Sequence, residues 1–145
     1  MFTSNKDKSP NQYHRYSEYK HIPSGLKKLD FIVNSIKSIK SYTKAMPASK
    51  VLKVLEVGCG NGNISIPLAS LGYSVTAIGM DEDSINYARN RSQFTDIKFI
   101  NTRIEEWHTE EHFDVIICSE VFEYLKDPFG LAKQISELGT AASLF

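Results

Sequence analysis

The chain is short of cysteine and of net charge, and each shortage closes off a class of protein. Its two cysteines, Cys59 and Cys118, stand far apart and outside any Cys-x-x-Cys spacing. Neither a disulfide framework nor a zinc ribbon follows, no metal site is expected, and a reducing cytoplasm is the default setting. The polar start MFTSNKDKSP has no apolar core of the kind a signal peptide needs. The stretch from Val57 to Met80 lacks charge but is broken by glycines, a proline, asparagines and serines, so no membrane partner is expected. With 41% hydrophobic and 23% charged residues among 145, disorder and collagen are excluded and one globular domain is expected. Seventeen basic residues balance seventeen acidic ones, which gives no argument for nucleic acid as a partner. The balance is uneven along the chain. Residues 1–50 hold ten basic and three acidic residues, and residues 51–145 hold seven basic and fourteen acidic ones.

The pattern divides the chain into a tail and helical cap over 1–48 and a main body over 49–145. Tyr13, Tyr16 and Lys20 share a helical face, and a stronger helix follows Pro23-Ser24. There Leu26, Leu29, Ile32, Val33, Ile36 and Ile39 recur every three or four residues. Lysines 27, 28, 37 and 40 are expected to face away. The body alternates strand and helix: strands at 51–57, 74–78, 97–100 and 113–118, helices at 64–71, 83–91 and 128–138, with Asp83 or Ser84 capping the second of these. This alternation predicts an α/β fold, a doubly wound and mainly parallel sheet with its ligand beyond the carboxyl ends of the strands.

Leu55-Glu-Val-Gly-Cys-Gly-Asn-Gly-Asn63 is the most informative segment. It follows a strand, opens a helix, and sets glycines at 58, 60 and 62, where bare backbone can approach a ligand. The dinucleotide fingerprint requires glycine at the sixth position counted from Gly58, which here is Asn63. Glu56 beside the loop suits a cation and repels a pyrophosphate. Both features disfavour a nucleotide-dependent oxidoreductase.

VLEVGCGNGNISIPLASLGYSVTAIG, followed by MDEDSINYARN and FDVIICSEVFEYLKDP, resembles the class I S-adenosylmethionine-dependent methyltransferases. The likeness is to the small-molecule group that includes the ubiquinone-biosynthesis O-methyltransferases, and it covers roughly residues 50–130. The resemblance implies a Rossmann-like sheet of order 3-2-1-4. It implies S-adenosylmethionine as cofactor, S-adenosylhomocysteine as product, and a small-molecule acceptor for O-, N- or C-methyl transfer. It places Gly58, Cys59, Gly60 and Gly62 under the methionine and ribose parts, Glu56 at the amino end, Met80 at the adenine face, Ile104 at the adenine ring, and Cys118 at the end of the fourth strand. The basic N-terminal cap would lie over the substrate opening.

Two positions depart from the family pattern. The acid that grips both ribose hydroxyls falls on Gly79, leaving Asp81 to reach the ribose or to serve only as a helix-entry acid. The acid expected to accept from the adenine amino group is Arg103, which has only donors. Glu120 and Tyr124 are the candidate catalytic groups, and Tyr124 stands where related sequences often carry a histidine. No Asn/Asp-Pro-Pro-aromatic segment is present, so adenine-N6 methylation is not expected. His108 and His112, with Glu110 and Glu111 between them, read as a solvated turn, with Trp107 as its local anchor.

The family core has seven strands, whereas four are read here, with Ser143–Phe145 at best opening a fifth. The fourth strand is then an exposed edge. Either the chain is C-terminally truncated or a homodimer covers that edge. A cofactor-binding module without turnover is the non-enzymatic alternative.

Overall fold

The computed structural model describes residues 23–42, 47–92, 96–119 and 121–139. Helix α1 (Pro23–Tyr42) precedes β1 (Lys53–Val57), α2 (Ser65–Ser70), β2 (Ser74–Gly79), α3 (Glu82–Arg91), β3 (Ile97–Asn101), β4 (Val115–Cys118) and α4 (Pro128–Leu138). The strands form one parallel sheet in the order β3-β2-β1-β4. That is the order expected.

Two-residue periodicity assigns the side chains of each strand to the two faces of the sheet. Val54, Val75, Val115 and Ile117 pack with Ile32 and Ile36 of α1 and Leu68 of α2. On the same face Ala77 and Phe99 meet Ile85 and Ala88 of α3. Leu55, Val57, Ile78, Ile116 and Cys118 point the other way, onto Leu131, Ile135 and Leu138 of α4. Trp107 lies against Phe113, ring centres 6.2 Å apart, and so anchors its turn to this second layer. No helix among the described residues is long and apolar enough to cross a membrane.

Two expectations are corrected, and a third falls where it is not tested. The cap of α3 is Asp81, two residues ahead of Asp83, because only Asp81 has the extended backbone that turns its carboxylate onto Ser84 N. Pairing beyond β4 begins at Gly139, which bridges Phe113 in parallel while Phe113 N donates to Leu138 O at 2.8 Å. The expected fifth-strand start, Ser143–Phe145, lies outside the described residues, as do Tyr13, Tyr16 and Lys20. Lys28 does not face away: it is half-buried and acts electrostatically on Glu56.

At the amino ends of the strands, Asp114 joins β1 to β4. It is 5% exposed. Its carboxylate accepts from Lys50 Nζ at 2.6 Å and Lys53 N at 2.9 Å, and its own N–H donates to Lys53 O at 2.9 Å. Asp114→Ala orphans a backbone donor and a lysine together, so urea unfolding is expected to show a loss of about 2–3 kcal/mol. Asp114→Asn, which keeps an acceptor, should lose less.

Candidate functional site

The carboxyl ends of all four strands converge on one cavity of about 250 Å³. Its first wall is the glycine loop. Gly58 N and Cys59 N both donate to Ile78 O, at 2.8 and 2.9 Å, and so fold the loop back over β2. The φ angles at Gly58, Gly60 and Gly62 are +80°, +51° and +82°. At Gly58 a Cβ would lie 2.4 Å from Val121 Cγ2, so the loop after β4 closes directly on bare backbone. At Gly62 it would lie 3.3 Å from Ala88 Cβ and 3.0 Å from Ile66 Cδ1, so α2 and α3 pack as closely from the other side. Gly60 has no atom within 4 Å of that position, which makes it the open part of the loop.

The second wall is the end of β2. Gly79 carries no side chain into the cavity, and the space beside it is taken: a Cβ there would meet Ile85 Cδ1 at 3.0 Å and Cys59 Sγ at 3.2 Å. Its carbonyl accepts from Asn101 Nδ2 and Thr102 N, both at 3.0 Å, which uses both lone pairs to tie β2 to β3. Asp81 faces the cavity and caps α3, with Oδ2 accepting from Ser84 N at 2.8 Å and Ser84 Oγ at 2.5 Å. The helix-entry reading of this acid is thus observed, and its place on the cavity wall leaves the ribose role to the proposal below. Met80, 62% exposed, lines the mouth.

Arg103 and Ile104 form the third wall after β3. The Arg103 guanidinium is 3.6 Å from Glu105 Oε1. Buried Ile104 opens a one-turn 3-10 helix, Ile104–Glu106, held from α4 by Gln134 Nε2, which donates to Ile104 O and Trp107 O at 2.9 and 3.1 Å. The fourth wall is Val121, Leu125 and Tyr124, the last 74% exposed within the 3-10 helix Phe122–Tyr124. Glu120 lies outside the described residues.

Four residues expected at the ligand sit in the layer behind it. Gly62 is packed between α2 and α3. Cys59 turns inward among Ala77, Ile85 and Ala88, and Cys118 joins the α4 side of the core. Burial, with Glu56 nearby, pushes the Cys59 thiol far up and the Cys118 thiol up to about 12. Both stay protonated near neutrality and are poor nucleophiles. Glu56, 2% exposed, accepts a short hydrogen bond from Ser65 Oγ, at the start of α2. Burial raises its pKa from 4.5 to about 7, opposed by the Ser65 hydrogen bonds and by the charge of Lys28. Val57, Ile78, Ser84, Thr102, Glu105, Val121 and Leu125 complete the cavity; Thr102, Glu105 and Val121 lie just beyond the carboxyl ends of the strands, where the ligand is expected, whereas Ser84 and Leu125 carry no such signal. His108 and His112 are exposed, and His112 Nδ1 lies 3.1 Å from Glu110 O.

A family model described as a methyltransferase domain matches residues 48–145, the span that builds this cavity. The chain belongs to the methyltransferase-domain family. Within that methyltransferase-domain family it is 42% identical over 78 residues to the ubiquinone biosynthesis O-methyltransferase of Rickettsia typhi, a match covering 52% of this chain and 32% of that protein. The protein of the same description from Rickettsia bellii is 32% identical over 120 residues, covering 79% and 48%. The chain thus spans about a third to a half of the length of the curated methyltransferases it matches. Magnesium protoporphyrin IX methyltransferase of Synechocystis, solved with bound S-adenosylmethionine, superposes with a TM-score of 0.62 at 18% identity, covering 79% of this chain and 56% of that one. At that identity the methyltransferase likeness is one of fold.

Proposed function

We propose that the cavity takes S-adenosylmethionine and that the protein of which this chain is part transfers its methyl group to a small-molecule acceptor, releasing S-adenosylhomocysteine. The observation that carries this reading is a glycine loop, open at Gly60, facing an acid, Asp81, across one cavity at the carboxyl ends of β1 and β2. The residues fit the cofactor on chemical grounds. Gly58 and Gly60 offer backbone without side chains, Asp81 offers a carboxylate to hydroxyl donors, and the hydrophobic Met80, Ile104 and Leu125 suit a planar base. Glu56 acts from behind the loop through its charge, which suits an ammonium.

When bound, the sulfonium supplies the reactive methyl, so the protein's task is positioning and, for a hydroxyl acceptor, removal of a proton. Tyr124 at the mouth and Glu120 are the groups proposed for that proton. Arg103 presents donors where an acceptor is expected, so the base is held by its ring and by the Ile104 backbone rather than through its amino group. A degenerate module that binds cofactor without turnover is the second reading, favoured by Gly79 and Arg103 and by Tyr124 where related sequences often carry a histidine. The division at residues 48 and 49 and a cytoplasmic setting belong to the same proposal, the latter supported by two buried free thiols. For the β4 edge, the Gly139–Phe113 bridge favours cover from this chain over cover from a second copy.

Calorimetric titration with S-adenosylhomocysteine tests the reading. Binding is expected with the ligand and not with NADH, and Asp81→Ala should weaken it about tenfold or more through loss of a charged acceptor. Absence of heat at millimolar ligand, or heat with NADH alone, would overturn the proposal. Binding without transfer to any of a panel of acceptors would select the second reading.

A further inference from the structure

We propose that Arg91 is a positioning residue for the cofactor site: from the last turn of α3 it clamps Asn61 and Asn63 and so holds Gly58 and Gly60 in ligand-accepting shape. The inference rests on the reading of the cavity as a cofactor site. Arg91 is not among the residues that line that cavity. Its Nη1 donates to Asn61 O at 3.2 Å and to Asn63 Oδ1 at 3.0 Å, and its guanidinium carbon lies 5.5 Å from the centre of the Tyr87 ring. The two acceptors flank Gly62, where φ is +82° and α3 packs directly on the loop through Ala88. Asn61 is 4% exposed, so its carbonyl needs a partner within the protein.

The geometry gives Asn63 a purpose. Where a dinucleotide-binding loop has glycine for close helix packing, this chain has a side chain that reaches across to α3 and takes a charge-assisted bond. The other end of α3 is Asp81, which faces the cavity. A ten-residue helix is a rod about 15 Å long, so α3 sets the spacing between glycine loop and Asp81 only if its far end is fixed to the loop. Arg91 is that fixing point. Arg89, two residues earlier, ties the same helix to β3 instead, donating to Phe99 O at 3.1 Å, with a second bond inside the helix to Asn86 Oδ1 at 3.2 Å.

The test compares Arg91→Met with Arg89→Met by titration with S-adenosylhomocysteine and by amide hydrogen exchange of the 59–64 segment without ligand. R91M is expected to bind about tenfold or more weakly and to exchange faster in that segment, with R89M changing neither. Arg91→Lys keeps the charge but reaches one acceptor, so it should fall between, and it is read instead should R91M not fold. Affinity and exchange in R91M equal to the parent, or an equal loss in R89M, overturns the inference. If the parent itself gives no heat, the cofactor reading fails and exchange alone decides the clamp, faster in R91M supporting it and unchanged opposing it.

Discussion

Gly58→Ala is expected to reduce affinity for S-adenosylhomocysteine about a hundredfold and to destabilise the fold by roughly 2–4 kcal/mol. Two independent penalties meet at this residue. Its φ of +80° lies in the left-handed region, and a Cβ would sit 2.4 Å from Val121 Cγ2. Relief requires the β1 loop and the β4 connection to separate, which opens the floor of the cavity. Gly72 supplies the control. It also has positive φ, +91°, but nothing lies within 4 Å of its Cβ position. Gly72→Ala should therefore show only the backbone penalty, about 1–2 kcal/mol, with affinity unchanged. Urea unfolding and calorimetry on both variants check the pair. Equal losses of affinity would show that the approach of Val121 does not shape the site.

Glu56→Gln is expected to raise stability and lower ligand affinity together. Burial holds the folded-state pKa near 7 against an ordinary 4.5. Below pH 4.5 the carboxyl is protonated in the folded and unfolded chains alike, and the residue is neutral in its effect. As pH rises through the window to 7 the unfolded chain loses its proton first, so wild-type stability falls. Above pH 7 the deficit is complete, on the order of 3 kcal/mol for a shift of this size. Glutamine keeps an oxygen to accept from Ser65 Oγ and has no proton to lose, so the variant should exceed wild type at pH 8 by about that amount and match it at pH 4. Affinity for a cationic amino group should fall about tenfold at pH 8. Denaturant titrations at the two pH values, with calorimetry at pH 8, check it. A variant less stable at pH 8 would mean that Lys28 and Ser65 outweigh burial.

The elements of the sheet could be read from alternation because each apolar run is bounded by glycine or polar residues, and the order 3-2-1-4 follows once the glycine loop is matched to its family. Gly58, Gly60, Gly79, Met80, Asp81, Arg103, Ile104 and Tyr124 do reach the cavity. What escaped depends on distance in sequence or on angles. Arg91 meets Asn61 across thirty positions, which no spacing rule records. Lys28 borders the apolar stripe of α1, where a long side chain can bury its stem and direct its charge inward. Of three consecutive acids, Asp81 caps α3 because of its backbone angles rather than its composition. Glu56 sits within a buried alternation, so its facing was readable, but its hydrogen bond to Ser65 depended on where α2 begins.

The order β3-β2-β1-β4 means that the chain winds outward from β1 in one direction and then returns to its other side. The connections after β1 and β4 therefore depart to opposite faces of the sheet, and the cavity lies where they part. On the function proposed above, the turns after β1, β2 and β3 hold the cofactor, and the turn after β4 adds Leu125 to that wall and sets Val121 and Tyr124 beside it. Within that last turn Val121 is pinned by its approach to Gly58, whereas Tyr124 is largely exposed, so on the same proposal a change at Tyr124 alters the acceptor side and leaves the methyl donor's walls in place.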